Sequence, residues 1–168
     1  ALSDLARTLY DTVIRYGYLA LFVATLLEGT GLPGPIQIAL FASGYLIIRG
    51  DMDPAAAIMV AAMGNVSGNA IGYLLGANGG RAFVRRWGRY LRITENHLEL
   101  IDRWFRRYGS LTAFIARIFG IIRTPVIIGA GVARMPIGPF LLFSCIGDLI
   151  WAAFWIYASM LLGGRLFG

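Results

Sequence analysis

The sequence predicts an all-α polytopic membrane protein built from two repeats in inverted orientation. Three observations carry that prediction. First, 58% of the 168 residues are hydrophobic and only 14% are charged, whereas soluble domains carry about 25% charged residues. Second, the apolar residues fall in long blocks over 19–48, 55–77, 110–132 and 137–162, on the scale of the ~20 residues a spanning helix needs. Third, RYGYLALFVA (15–24) lines up with RYGSLTAFIA (107–116) at a constant offset of 92, and Pro33 meets Pro125 at the same offset. Further on, Gly64 has a counterpart in Gly147 at an offset of 83. The strict alternation that marks a membrane β-barrel is missing. The whole chain, 1–168, reads as one membrane domain, with repeat one at about 2–77 and repeat two at about 93–163. A basic loop at about 78–92 joins them.

Each repeat reads as an interfacial amphipathic helix, a Pro/Gly-broken re-entrant hairpin and a spanning helix. In residues 2–15, Leu2, Leu5, Leu9 and Val13 share one side, with Asp4, Arg7, Asp11 and Arg15 elsewhere; such a helix lies flat in the membrane interface. Its opening, ALSDLARTLYD, lacks the basic start and cleavage pattern of a signal peptide. Residues 19–48 are apolar but split between Gly29 and Pro35. Pro33 and Pro35 flank Gly34, and apolar halves of roughly 10–13 residues are too short to span alone, which favours a turn within the membrane. GDMDP (50–54) is an acidic turn. Residues 55–76 form a spanning helix in which Gly64, Gly68, Gly72 and Gly76 make one flat face for close packing, a face that also invites a homo-oligomer.

Residues 79–109 are polar, with Arg81, Arg85, Arg86, Arg89, Arg92, Arg103, Arg106 and Arg107 set against Glu95, Glu99 and Asp102. The helical spacing of Leu98, Ile101, Trp104 and Phe105 predicts a second interfacial helix. Residues 110–134 form a second broken apolar region, interrupted between Gly120 and Pro125. Residues 137–162 form the last spanning helix, with Trp151, Trp155 and Tyr157.

The net charge is +6, and all fifteen basic residues are arginine. They flank apolar segments, so they mark the cytoplasmic face and argue against a nucleic-acid partner. Cys145 is the only cysteine, which excludes an internal disulfide. His97 sits in a polar loop, and no cluster with metal-ligand spacing exists. The sequence therefore points to no metal, no cofactor and no enzyme.

Charges beside the two breaks mark the candidate site. Non-helical backbone inside a bilayer is tolerated only in protein or beside a wet cavity, and paired breaks are where transporters place their sites. Glu28 precedes the first break; Arg117 and Arg123 bracket the second. Each is costly in hydrocarbon, about 2.5–3.5 kcal/mol for a central arginine on insertion scales. One reading is a buried structural ion pair of Glu28 with Arg117 or Arg123. One acid does not balance two arginines, however, and Asp148 is the other nearby acid. Surplus positive charge suits an anion, and arginine forks match phosphate oxygens. These residues predict a phosphate-bearing or similarly anionic substrate, with Glu28 as a proton-coupling candidate.

At these residues the chain resembles the DedA family of bacterial membrane proteins, also called the SNARE-associated or VTT-domain family. The first block appears as Glu28, Pro33, Pro35, Ile36, Gln37 and then SGYL (43–46). The second appears as Gly64, Gly68, Asn69, Tyr73 and Gly76. The third appears as Arg117, Gly120, Arg123, Pro125, Gly131 and Met135. Gln37 stands where the family usually has a second acid, Asn69 where it usually has aspartate, and Gly120 where it has proline. The resemblance implies flipping or scrambling of an anionic lipid, such as undecaprenyl phosphate or a phospholipid, across the bacterial cytoplasmic membrane. It implies substrate- or ion-binding roles for Glu28, Arg117, Arg123, Gln37, Asn69 and Asp148. The alternative is a proton- or cation-coupled transporter of small solutes. With two amides in place of acids, passive transport stands beside proton-driven transport.

Overall fold

A computed structural model describes the backbone of residues 2–30, 36–91, 93–119 and 123–167, and side chains over 15–30, 36, 38–90, 93–118 and 125–165. Among these the chain is helical, with turns and short links and no strand. The helices are α1 (Leu2–Gly29), α2 (Ile36–Ile48), α3 (Pro54–Leu91), α4 (Glu95–Tyr108), α5 (Leu111–Phe119), α6 (Arg123–Val132) and α7 (Ile137–Phe167).

The predicted break between an interfacial helix at 2–15 and the apolar region does not form, because α1 is one helix of 28 residues. It runs through Gly17, where a methyl group would lie 3.1 Å from Leu46 Cδ1 and 3.2 Å from Met52 Cε. That glycine admits a close neighbour and does not stop the helix. The first hairpin turn, with Pro33 and Pro35, lies outside the described residues, as does Gly120 in the second. α2 has 13 residues, roughly 20 Å at 1.5 Å per residue, well short of the ~30 Å hydrocarbon core.

The acidic turn at 50–54 starts α3. Asp53 Oδ2 accepts from the Ala56 N–H at 2.9 Å, and Pro54 fills the first helical position, where no N–H is needed. The basic stretch predicted as a loop is helical, since α3 continues to Leu91 with a kink at Gly80 (φ 57°, ψ −154°). That backbone region is essentially confined to glycine. α4 starts at a capping box (Thr94 Oγ1 accepts from His97 N–H, and His97 Nδ1 accepts from Thr94 N–H, both at 3.3 Å). His97 thus caps a helix and is not part of a loop. α4 ends at Gly109, whose φ of 57° and ψ of −142° nearly repeat those of Gly80. The expected apolar face of α4 exists, but Leu98, Ile101 and Phe105 are buried in the protein, clustered with Val126, Ile127, Ile128 and Ala130 of α6. Amphipathic spacing dictates that one face is buried, not what covers it. The second break closes earlier than expected: α6 begins at Arg123, so Pro125 sits in its first turn, where proline is tolerated.

α3 and α7 are long and apolar enough to cross a membrane. Both expose large apolar side chains, among them Met59, Met63 and Leu74 on α3 and Leu142, Phe154 and Leu161 on α7. The packing is crossed. α1 lies on α3 and α5 on α7, while α2 packs on α7 and α6 on α3. The glycine face of α3 makes this possible. Gly64 lies on Phe22 and Thr25 of α1, Gly68 on Leu26 and Gly29, Gly72 on Thr30 and Ile127, and Gly76 on Ile128 and Val132 of α6. The stripe is therefore covered within the chain and offers no free face to a second copy.

Candidate functional site

The fold holds a buried ion pair between α5 and α7. Arg117 lies in the last turn of α5, and its Nε is 2.6 Å from Oδ1 of Asp148 on α7. Their side chains are only 4% and 0% exposed. Asn69 of α3 donates from Nδ2 to the other carboxylate oxygen, Oδ2, at 2.9 Å. The Arg117 guanidinium also sits 3.9 Å from the centre of the Trp151 ring, close enough for a cation–π contact. Asp148 and Trp151 are three residues apart on α7, so one helix face presents both to the arginine.

Small residues open the space. A methyl group on Gly147 would lie 3.0 Å from Arg117 Cβ, so glycine there lets α5 come close to α7. A cavity of about 10 Å³, the room one water occupies, is bordered by Asn69, Ala113, Ala116, Arg117, Ser144 and Asp148. Val126 and Ile127, in the first turn and a half of α6, border it too. Nearby, the Tyr73 hydroxyl donates a short hydrogen bond to the Met135 carbonyl, and its ring stacks 5.5 Å from that of Phe140. Those contacts fix α3 against the start of α7.

Three residues singled out in the sequence are thus together: Arg117, Asp148 and Asn69. Arg117 pairs with Asp148, the second acid that the sequence offered; the pairing of Glu28 with Arg123, one of its two expected partners, involves a side chain outside the described residues. Glu28 is half-buried in the last turn of α1. It precedes Gly29, where a methyl group would lie 2.5 Å from the Asn65 carbonyl oxygen and 3.1 Å from the Asn69 nitrogen. So Glu28 ends α1 against the same turn of α3 that carries Asn69. Gln37 is the second residue of α2 and Arg123 the first of α6; both side chains lie outside the described residues. Pro125 is buried in α6, next to Val126 at the cavity. Sequence reasoning missed Trp151 as part of the site, although its spacing of three from Asp148 signals it. Among the described residues, no group of three or more His, Cys, Asp or Glu side chains is placed to hold a metal ion.

Arg117 and Asp148 neutralise each other, and the amide of Asn69 orients the acid. Such a pair is stable only while both partners are present: removing one leaves a buried charge, at a cost of about 3–5 kcal/mol. An anion that reaches the guanidinium competes with Asp148 for it.

A family model described as the VTT domain matches residues 34–161. The chain is 29% identical to the protein named undecaprenyl phosphate transporter A in Bacillus subtilis (strain 168), over 98% of this chain and 81% of that protein. A protein of the same name in Staphylococcus aureus (strain NCTC 8325 / PS 47) is 28% identical over 84% of this chain and 71% of its own length. A protein named alkaline phosphatase-like in Lactococcus lactis subsp. cremoris (strain MG1363) is 27% identical over 82% of this chain and 66% of its own. No solved structure matches the chain.

Proposed function

The chain belongs to the VTT-domain family, and on that premise we propose that it is a multi-pass transporter of the bacterial cytoplasmic membrane. Its cargo is an anionic phosphate-bearing lipid, such as undecaprenyl phosphate or a phospholipid, which it flips or scrambles between leaflets. The observation that carries the reading is the buried Arg117–Asp148 pair beside a cavity at the crossing of the helices. A buried guanidinium that engages a carboxylate in an apolar protein is a phosphate receptor with an internal stand-in for its ligand. The lipid phosphate displaces Asp148, takes the arginine fork, and is released as Asp148 returns. Asn69 holds the acid ready. Arg123, the first residue of α6, is the candidate for a second positive charge, and Glu28 of α1 and Gln37 of α2 are the other candidates for the site.

In this reading the arms α1–α2 and α5–α6 are re-entrant hairpins, α3 and α7 span, and the two units are inverted repeats. The packing supports that relation. Thr25 and Arg117 match at an offset of 92, and Gly64 and Gly147 at 83. Gly64 packs on Thr25 as Gly147 packs on Arg117. Whether transport is proton-driven turns on Glu28 and Asp148, since Gln37 and Asn69 carry no charge.

The test is lipid movement in reconstituted vesicles, with a labelled lipid phosphate and a membrane-impermeant quencher. The wild-type chain exchanges the lipid between leaflets. The double variant Arg117→Gln with Asp148→Asn removes both charges together, so it folds but does not transport. Transport no faster than in empty vesicles, across a panel of phosphate lipids, overturns the proposal. Ion-coupled flux of a small solute that vanishes in Glu28→Gln establishes the alternative, favoured by the half-buried carboxylate at the end of α1.

A further inference from the structure

α4 carries a second stripe besides the one it buries. Leu100, Arg103, Trp104, Arg107 and Tyr108 line an open cleft of about 260 Å³ on its outward side. The rings of Trp104 and Tyr108 are 5.6 Å apart, and the Arg107 guanidinium lies 5.5 Å from the Tyr108 ring centre. A plain solvated face does not call for an indole and a phenol between two arginines.

The charge around the cleft is unbalanced. Arg85 engages Glu95 at 3.7 Å and Arg81 engages Asp102 at 3.6 Å. Of the three acids between Arg81 and Tyr108, that leaves Glu99. Arg103, Arg106 and Arg107 make no ion pair among the described residues, and Arg103 and Arg107 are exposed at the cleft.

The segment that carries the cleft also has the composition of a membrane-surface element. It belongs to a basic helical hairpin bounded by Gly80 and Gly109, which share a φ of 57°. Those glycines end the regular helix on either side of the hairpin, whose inner face (Ile101 and Phe105) packs on Tyr73 of α3 and Ala113 of α5, leaving the cleft on the other face. The tail of α3 adds Trp87 and Tyr90, exposed by 46% and 72%, with the Arg86 guanidinium 5.9 Å from the Trp87 ring centre. Tryptophan and tyrosine rings settle at headgroup level. Arginine forks grip phosphate by two oxygens, and basic residues beside a membrane are drawn to anionic lipids.

We propose that Arg103, Trp104, Arg107 and Tyr108 form a binding site for the phosphate headgroup of an anionic membrane phospholipid, which holds the basic hairpin against the bilayer surface. The site is separate from Arg117. It rests on the reading that α3 and α7 span a membrane, but not on what the Arg117 site carries.

The test uses the full chain in uncharged detergent, with bound lipid counted by native mass spectrometry. The probes are phosphatidylglycerol, phosphatidylcholine and inorganic phosphate. The wild-type chain retains phosphatidylglycerol over phosphatidylcholine. The variant Arg103→Gln with Arg107→Gln, both exposed and so without effect on folding, binds phosphatidylglycerol roughly 30-fold more weakly. The Arg117→Gln, Asp148→Asn variant keeps the peripheral lipid, whether or not it transports. Equal retention of the two lipids overturns the proposal, as does unchanged binding in the arginine variant. Displacement by millimolar inorganic phosphate also overturns it, because that marks a free-anion site.

Discussion

The contact between α1 and α3 and the contact between α5 and α7 use the same device with opposite chemistry. In each, a glycine of the long helix admits a polar residue of the shorter partner: Gly64 with Thr25, and Gly147 with Arg117. Thr25 is neutral and turns back on its own helix, its hydroxyl donating to the carbonyls of Leu21 and Phe22 at 2.8 and 3.0 Å. Arg117 is charged and reaches out, to Asp148 and to the face of Trp151. The residues after the two glycines differ in the same sense, Asn65 in one and Asp148 in the other. A close-packed helix pair tolerates either pattern. The buried Arg117–Asp148 pair thus belongs to the α5–α7 contact and has no counterpart at the α1–α3 contact, and in the function proposed above it is this contact that the lipid phosphate reaches.

The largest break in this comparison is Asp148→Asn. It leaves Arg117 buried against an amide and lowers stability by about 3–5 kcal/mol, read as a fall in the unfolding midpoint in detergent. Adding Asn69→Asp to that variant moves the carboxylate from α7 to α3, within hydrogen-bond distance of where it was. It should recover most of the stability and some transport. No recovery means that the acid must come from α7. A smaller effect separates the two glycines. In Gly64→Ala the new methyl meets the Phe22 carbonyl oxygen at 2.8 Å, a backbone atom that cannot move aside, and overpacking of this kind costs about 1–3 kcal/mol. In Gly147→Ala it meets Arg117 Cβ and Cγ at 3.0 and 3.1 Å, a milder contact that a shift of a few tenths of an ångström relieves. Stability should fall less there than in Gly64→Ala, while transport falls more. The smallest effect is that of Thr25→Val. It removes hydrogen bonds to the local helix, costs about 1 kcal/mol and leaves transport within a few-fold of wild type. A transport loss as large as that of Arg117→Gln with Asp148→Asn would give the neutral α1–α3 contact a direct role.

Much of this arrangement is legible in the sequence because it depends on local patterns. Long apolar runs mark α3 and α7, and glycine at every fourth position marks the face of α3. An acid and an arginine inside apolar segments mark themselves as partners of something. Which partner is not legible. Glu28 and Asp148 are equally plausible for Arg117 until the crossing of the helices brings α7 to α5. The amphipathic pattern of 2–15 and the apolar run from 19 read as separate elements, yet they form one helix, and Gly17 between them is a point of close approach to the side chains of Leu46 and Met52. The apolar stripe of α4 reads as lipid-facing for a similar reason. Periodicity gives the direction of a face and not its neighbour, and here the neighbour is α6.

The crossed packing has a consequence for how the chain is made. Gly44 of α2 rests on Ser159 of α7, where a methyl group would lie 2.5 Å from Ser159 Cβ. At ordinary rates of synthesis, α2 waits on the order of 10 s for that surface to emerge. α5 likewise waits for α7, so neither half closes until the last long helix has been made. Assembly is thus committed late and all at once. A chain interrupted before α7 yields no working half, only two open arms for quality control to remove.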